Sequence, residues 1–282
     1  MLRAKVYFFA AIAFAYPAGA WAQLASTTTP STPTDLQVTV TNEGNSDFTL
    51  TPLWFAFQNG GFDLFDTGVA PSAGLELLAE DGVVDSSDPN VDTVTSEFDA
   101  AAQPGNRQGI VLAPGGFGGA PVIEPGESGA GYITPINPAN YQFFTFASMV
   151  IPSNDTFIGN ESPTQYQVFT PGGQINDPSG VFTIQIFGSD VLDAGTELNN
   201  ALGAAFSTNG GSPTDTNDGV GAAGDLSEFL NSTTPSGLTI TDFIAPGELL
   251  ATITISQLPE PSTFGISLLA AGCFGLMRKR RN

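Results

Sequence analysis

The chain has 282 residues, 41% of them hydrophobic, with 28 acidic and seven basic side chains, no histidine and one cysteine. That length and apolar content suit one large β-domain or two small ones and exclude a wholly disordered chain. The missing histidine excludes Ser-His-Asp and Cys-His nucleophile systems and every histidine-bearing zinc site.

The charge is unevenly spread. Arg3 and Lys5 open the chain, Arg278, Lys279, Arg280 and Arg281 close it, and only Arg107 lies between. Residues 23–277 therefore hold 28 acids against one base, a formal −27. Such a body repels nucleic acid and anionic lipid, so no nucleic-acid partner is expected. Most of the acids are read as solubilising a protein in a salty or calcium-rich medium, and only a few as ligands. Cys273 sits in the C-terminal apolar tail, so the body must fold without a disulfide.

At the N-terminus, Arg3 and Lys5 precede an apolar run over 6–15 and an Ala20-Trp21-Ala22 site. Residues 1–22 read as a secretory signal peptide, cleaved between Ala22 and Gln23. Residues 23–34, rich in Ser, Thr and Pro, read as a linker.

A domain is expected over 35–257. Leu36, Val38 and Val40 alternate on one face of a first strand, and 48–58 reads as a second, buried on both faces around Leu53–Phe57. Ser72 is placed to cap a short helix containing Leu75, Leu77, Leu78 and Ala79. A second helix is expected over 91–102, with Phe98 its one large apolar residue. Further strands are expected at 110–112, 129–134, 141–151, 167–170, 180–187, 238–243 and 249–255, with a Gly/Asn/Asp-rich loop over 206–225. Many short strands separated by turn signals predict a mainly β fold, a β-sandwich with one or two short helices.

Two stretches organise that domain. Residues 142–161 run from an apolar strand into a polar loop carrying Asp155, and 181–197 run from an apolar strand into an acidic loop carrying Asp193 and Glu197. Ca²⁺ takes six to eight oxygen ligands from carboxylates, carbonyls and water. Ala194-Gly195 between the two later acids lets the backbone turn around an ion, and Asp155 from a separate loop would tie the two loops together. The plainer alternative makes all three solvated turn residues, Asp193 merely capping a turn. Asn154, Asp190 and Asn199 lie near enough in sequence to contribute.

Two further motifs are weaker. Asp215-Thr216-Asn217-Asp218-Gly219 departs from the EF-hand loop because its glycine falls at the fifth place, and it reads as a surface loop. Residues 115–119 are glycine-rich but lack the strand, helix and lysine of a phosphate cradle.

Two family resemblances rest on these residues. Phe62–Phe65 with Gly68, Ala70-Pro71 and Leu77–Gly82, then Ser148–Asp155 with Phe157-Ile158-Gly159, then Asp193-Ala194-Gly195-Thr196-Glu197, resemble the ordered motifs of a bacterial spondin domain. The resemblance implies an antiparallel, spondin-like β-sandwich, a Ca²⁺ site formed by Asp155, Asp193 and Glu197, and an adhesion or matrix role without catalysis. Glu197 stands where animal members usually carry Asp.

At the other end, Pro259, Glu260 and Pro261 precede an apolar stretch over 263–277 and the basic cluster. Those 15 residues would make about 22 Å of helix, short of the ~30 Å hydrocarbon core. Residues 258–282 resemble a PEP-CTERM sorting signal. That resemblance implies transient anchoring in the inner membrane of a Gram-negative bacterium, processing by an exosortase, and a final place at the cell surface or in an extracellular matrix rich in exopolysaccharide. The competing expectations are a metal-free structural envelope protein, and a glycosidase working through a carboxylate pair.

Overall fold

The computed structural model describes residues 35–101, 107–113, 120–133 and 137–258. The signal peptide with Ala22 and Gln23, the linker, the Pro259-Glu260-Pro261 motif and the 263–277 segment lie outside the described residues. Among the described residues no helix is long and apolar enough to cross a membrane.

The fold is mainly β, with two antiparallel sheets. The first, four strands wide, has the order β5 (Ser128–Ile133), β1 (Leu36–Asn42), β12 (Leu249–Gln257), β9 (Val181–Phe187). The second runs β11 (Gly221–Ala222), β10 (Val191–Asp193), β7 (Thr156–Gly159), β6 (Phe143–Ile151), β3 (Leu53–Gln58), β4 (Arg107–Val111). Short strands β2 (Thr49–Leu50) and β8 (Tyr166–Gln167) also pair with β6.

Strand alternation sets the core. In β1, Leu36, Val38 and Val40 are buried while Gln37, Thr39 and Thr41 face outward, as a half-buried strand requires. Those residues join Ile253 and Ile255 of β12 and Ile184 and Ile186 of β9 in one cluster with Phe55, Phe57, Phe144 and Phe146 of the opposite sheet. The two sheets therefore pack face to face, sandwich-like, around an aromatic centre. Phe57 and Phe144 lie 5.2 Å apart between ring centroids, and Phe55 stacks on Phe144 at 5.9 Å.

The second sheet is buried on its other face as well. Helices α1 (Ala73–Asp81) and α2 (Val94–Ala101) lie over it, and Leu75, Leu78, Val94 and Phe98 cluster with Trp54, Ala147 and Phe157. This explains the unbroken apolar runs of β3 and β6. Ser72 caps α1 by accepting from the Leu75 N–H, and Gly82 ends it at φ 65°. Glu97 of α2 accepts from the Ser72 hydroxyl at 2.6 Å and from the Gly74 N–H at 2.8 Å, so the second helix holds the start of the first.

Several expectations need correction. Residues 48–58 form two strands, not one. The expected strand over 238–243 is irregular: Asp47 accepts from the N–H groups of Thr241 and Asp242, diverting them from any ladder. Ile240 and Ile244 still enter the core. Strands β7 and β10 arise where loops were expected. The first and last described strands, β1 and β12, pair over seven residues, from Leu36 opposite Gln257 to Asn42 opposite Ala251, so the described residues close this sheet between their own ends.

Candidate cation site

The site forms where β6 turns into β7 and β9 leads into β10. Residues 152–155 make a tight connection. Ser153 Oγ donates to the Val150 carbonyl at 2.6 Å and accepts from the Thr156 N–H at 3.2 Å. Strand β10 pairs with β7, setting Asp193 opposite Thr156, so the acidic loop after β10 folds back over Asp155.

Asp155 is fully buried. Its Oδ2 accepts from the N–H groups of Thr196 at 2.8 Å and Glu197 at 3.0 Å, and from the Thr196 hydroxyl at 3.2 Å. Its carbonyl accepts from the Ala194 N–H at 3.0 Å. Its Oδ1 is buried without a hydrogen-bond partner. A buried carboxylate oxygen left so is costly.

The other two predicted acids are near. Asp193 Oδ1 accepts from the Gly195 N–H at 2.7 Å, and its Oδ2 accepts from the Asn199 amide at 2.6 Å. Glu197 Oε2 accepts a long hydrogen bond, 3.4 Å, from the Asn154 amide, whose own oxygen accepts from the Asn200 N–H. Asn154 and Asn199 thus belong to the site. Asp190 does not: its carboxylate caps the Phe187 N–H.

Gly195 is required by geometry. Its φ is 76°, and a Cβ there would lie 2.8 Å from the backbone of Asp218 and Gly219. The 215–219 segment is at the surface, as expected, with Asp215, Asn217 and Asp218 exposed, and it also packs against the acidic loop. Thr216 N–H donates to the Thr196 carbonyl at 2.7 Å and Asp218 N–H to the Gly195 carbonyl at 2.8 Å.

Glu80 is the residue that sequence reasoning missed. It comes from α1 and, with Glu76, Glu197, Asp215 and Asp218, lines a cavity of about 330 Å³. The capping serine and the Leu75–Leu78 periodicity signalled the helix. Nothing local showed that its C-terminal half faces the acidic loop.

The electrostatics are one-sided. Burial, then repulsion from Asp155, pushes Asp193 up to about 6. Burial, then repulsion from Glu80, pushes Glu197 up to about 7, with Asp155 and Asp215 adding to it. Burial raises Asp155 too, against the lowering effect of the N–H groups of Glu197 and Thr196. Glu80 is raised by burial and, beyond the opposing Thr196 hydroxyl, by Glu76, Asp81 and Asp155.

The donor chemistry suits a hard cation, since the groups are carboxylate and amide oxygens with no nitrogen or sulfur ligand among the acids. The arrangement is not a closed cage. Among the described residues no three acidic side chains are grouped to hold a metal ion. Each of the three is turned onto a backbone N–H or an amide.

No protein-family model matches the chain, and no characterised protein does either.

Proposed function

We propose that the protein is an exported, non-enzymatic, calcium-binding component of a cell surface or extracellular matrix, built on a spondin-like sandwich and sorted by its C-terminal signal. The observation that carries the calcium reading is Asp155: fully buried, one oxygen without a partner, and flanked by two carboxylates that resist ionisation. A divalent cation would relieve all three. Asp155, Asp193 and Glu197 would hold it, with Asp193 and Glu197 exchanging their contacts to Asn199 and Asn154 for the ion. The metal would supply charge neutralisation and cross-linking of two loops. It could also bridge the acidic surface to anionic exopolysaccharide. Equilibrium dialysis against radioactive calcium tests this: the domain should bind the ion, and Asp155→Asn should not. Equal retention by both proteins would remove Asp155 from the site.

One observation favours a second reading. Glu197, pushed up to about 7, shares a cavity with Glu80, which burial also raises, and a pair of carboxyl groups with raised values in one cleft is what a glycosidase draws on. Release of reducing ends from a polysaccharide, lost in both Glu197→Gln and Glu80→Gln, would support it over the calcium reading.

A further inference from the structure

We propose that β9 is a self-association edge, through which two copies of the chain join antiparallel into one continuous sheet. The four-stranded sheet ends at β9, and among the described residues β12 is the only strand paired with it. The sheet's other end is guarded, because β5 lies against β4 and Ala130 bridges Leu112. The far end of the second sheet is the two-residue β11. Strand β9 is seven residues long and contains no charge, proline or glycine. Exposed edge strands normally carry such guards, because their free N–H and C=O groups template pairing.

Local contacts reveal which groups are free. Ser179 Oγ accepts from the Val181 N–H and donates to the Val181 carbonyl, both at 3.2 Å. Asp190 Oδ2 accepts from the Phe187 N–H at 2.8 Å. These bonds put Val181 and Phe187 on the open edge. Alternate residues of a strand direct their backbone groups to the same side. Thr183 and Gln185 therefore share that edge, and among the described residues nothing outside the strand bonds to their N–H and C=O groups. Antiparallel pairing centred on Ile184 sets Thr183 of each copy opposite Gln185 of the other and exchanges four hydrogen bonds. Such a contact is self-complementary and closes as a two-fold dimer.

Charge selects a second copy as the occupant. A body at −27 repels its twin over most of its surface. The outer face of this sheet is the exception: Thr39, Thr41, Thr252, Thr254, Thr183 and Gln185 point outward from β1, β12 and β9, and the Glu43 carboxylate, which reaches this face from the end of β1, is bound by the Thr252 hydroxyl. A cationic partner would be drawn to the acidic loops instead. Asp177 and Asp190 flank the two ends of β9, and this register brings Asp190 of each copy level with Pro178 of the other, beside Asp177. That repulsion makes the pairing salt-dependent.

Sedimentation velocity on the full chain, over a range of protein concentrations, tests the proposal. A monomer–dimer equilibrium is expected that shifts toward dimer between about 0.1 M and about 1 M salt, as the screening length falls from about 10 Å to about 3 Å. Thr183→Pro removes one open-edge N–H without touching the β12 ladder, where proline is tolerated. Gln185→Glu puts a carboxylate on the seam from an exposed side chain. Each should weaken dimerisation by about tenfold or more, with the melting curve confirming an intact fold. If Thr183→Pro unfolds the domain, Gln185→Glu alone decides. A monomer at every concentration in high salt, or a dimer unmoved by Gln185→Glu, overturns the proposal.

Discussion

The N–H of Glu197 donates to Asp155 Oδ2 at 3.0 Å, and the Glu197 carboxylate is at the same time repelled by the Asp155 charge. One residue thus anchors the other's backbone and disfavours its side chain's ionisation. The acidic loop is held in place by its own repulsive centre.

This separates two substitutions at Asp155. Alanine leaves the N–H groups of Thr196 and Glu197 without their acceptor, and the domain should lose about 2–3 kcal/mol. Asparagine keeps an accepting oxygen and removes the charge, so its cost without calcium should stay within about 1 kcal/mol. Urea unfolding in EDTA measures both. Equal losses would mean that Asp155 acts through its charge and not as an acceptor.

Gly195→Ala should destabilise by about 1–3 kcal/mol, because it needs a positive φ and meets the backbone of Asp218 and Gly219. The loss should appear in the unfolding midpoint of the whole domain, since the acidic loop is tied to β7. An unchanged midpoint would show the loop to be independent of the sandwich.

The pH dependence follows from the same repulsion. In the unfolded chain Asp193 and Glu197 titrate near their ordinary values of about 4. In the folded chain they titrate at about 6 and about 7. Between these values the folded state binds more protons, so stability falls as pH rises from about 4 to about 7. Asp155 and Glu80 act in the same direction. Asp47 opposes them only at low pH: burial resists its ionisation, but the hydroxyl and N–H of Thr241 and the N–H of Asp242 outweigh that and lower it. In EDTA, calorimetry should give a higher melting temperature at pH about 5 than at pH about 8. A midpoint that climbs over this range would contradict the account.

The core prediction is independent of the site. Phe144 is fully buried between Phe55, Phe57 and Phe146. Phe144→Ala should cost about 3–5 kcal/mol, read as a lower denaturant midpoint with calcium binding retained wherever the domain stays folded.

Much of this architecture was legible in the chain. Alternation at Leu36, Val38 and Val40 predicted β1 and its buried face, and Ser72 marked the start of α1 because a cap is local chemistry. Strand β10 escaped because three residues leave no periodicity; it exists through pairing with β7 and β11. Leu238–Phe243 misled in the opposite sense, since its alternation is real but Asp47, 194 residues away from Thr241, takes the N–H groups a strand would need. At the site, the spacing of Asp193 and Glu197 and the distant Asp155 were readable as motifs. The contribution of Glu80 and the 215–219 segment was not, because it depends on how α1 and a long loop pack over β7 and β10.

Thermal unfolding of residues 23–258 with and without about 10 mM calcium, beside the Asp193→Ala/Glu197→Ala variant, tests the central claim most directly. Extracellular calcium modules bind at about 10⁻⁴–10⁻³ M, and ligand at 100 times the dissociation constant adds about 2.7 kcal/mol. For a domain of this size that is a rise of about 5–10 °C at a dissociation constant of about 10⁻⁴ M, and about half that at about 10⁻³ M. The account predicts that rise in the parent and its absence in the variant. A parent whose melting temperature does not move with calcium, or a variant that gains as much as the parent, would contradict it.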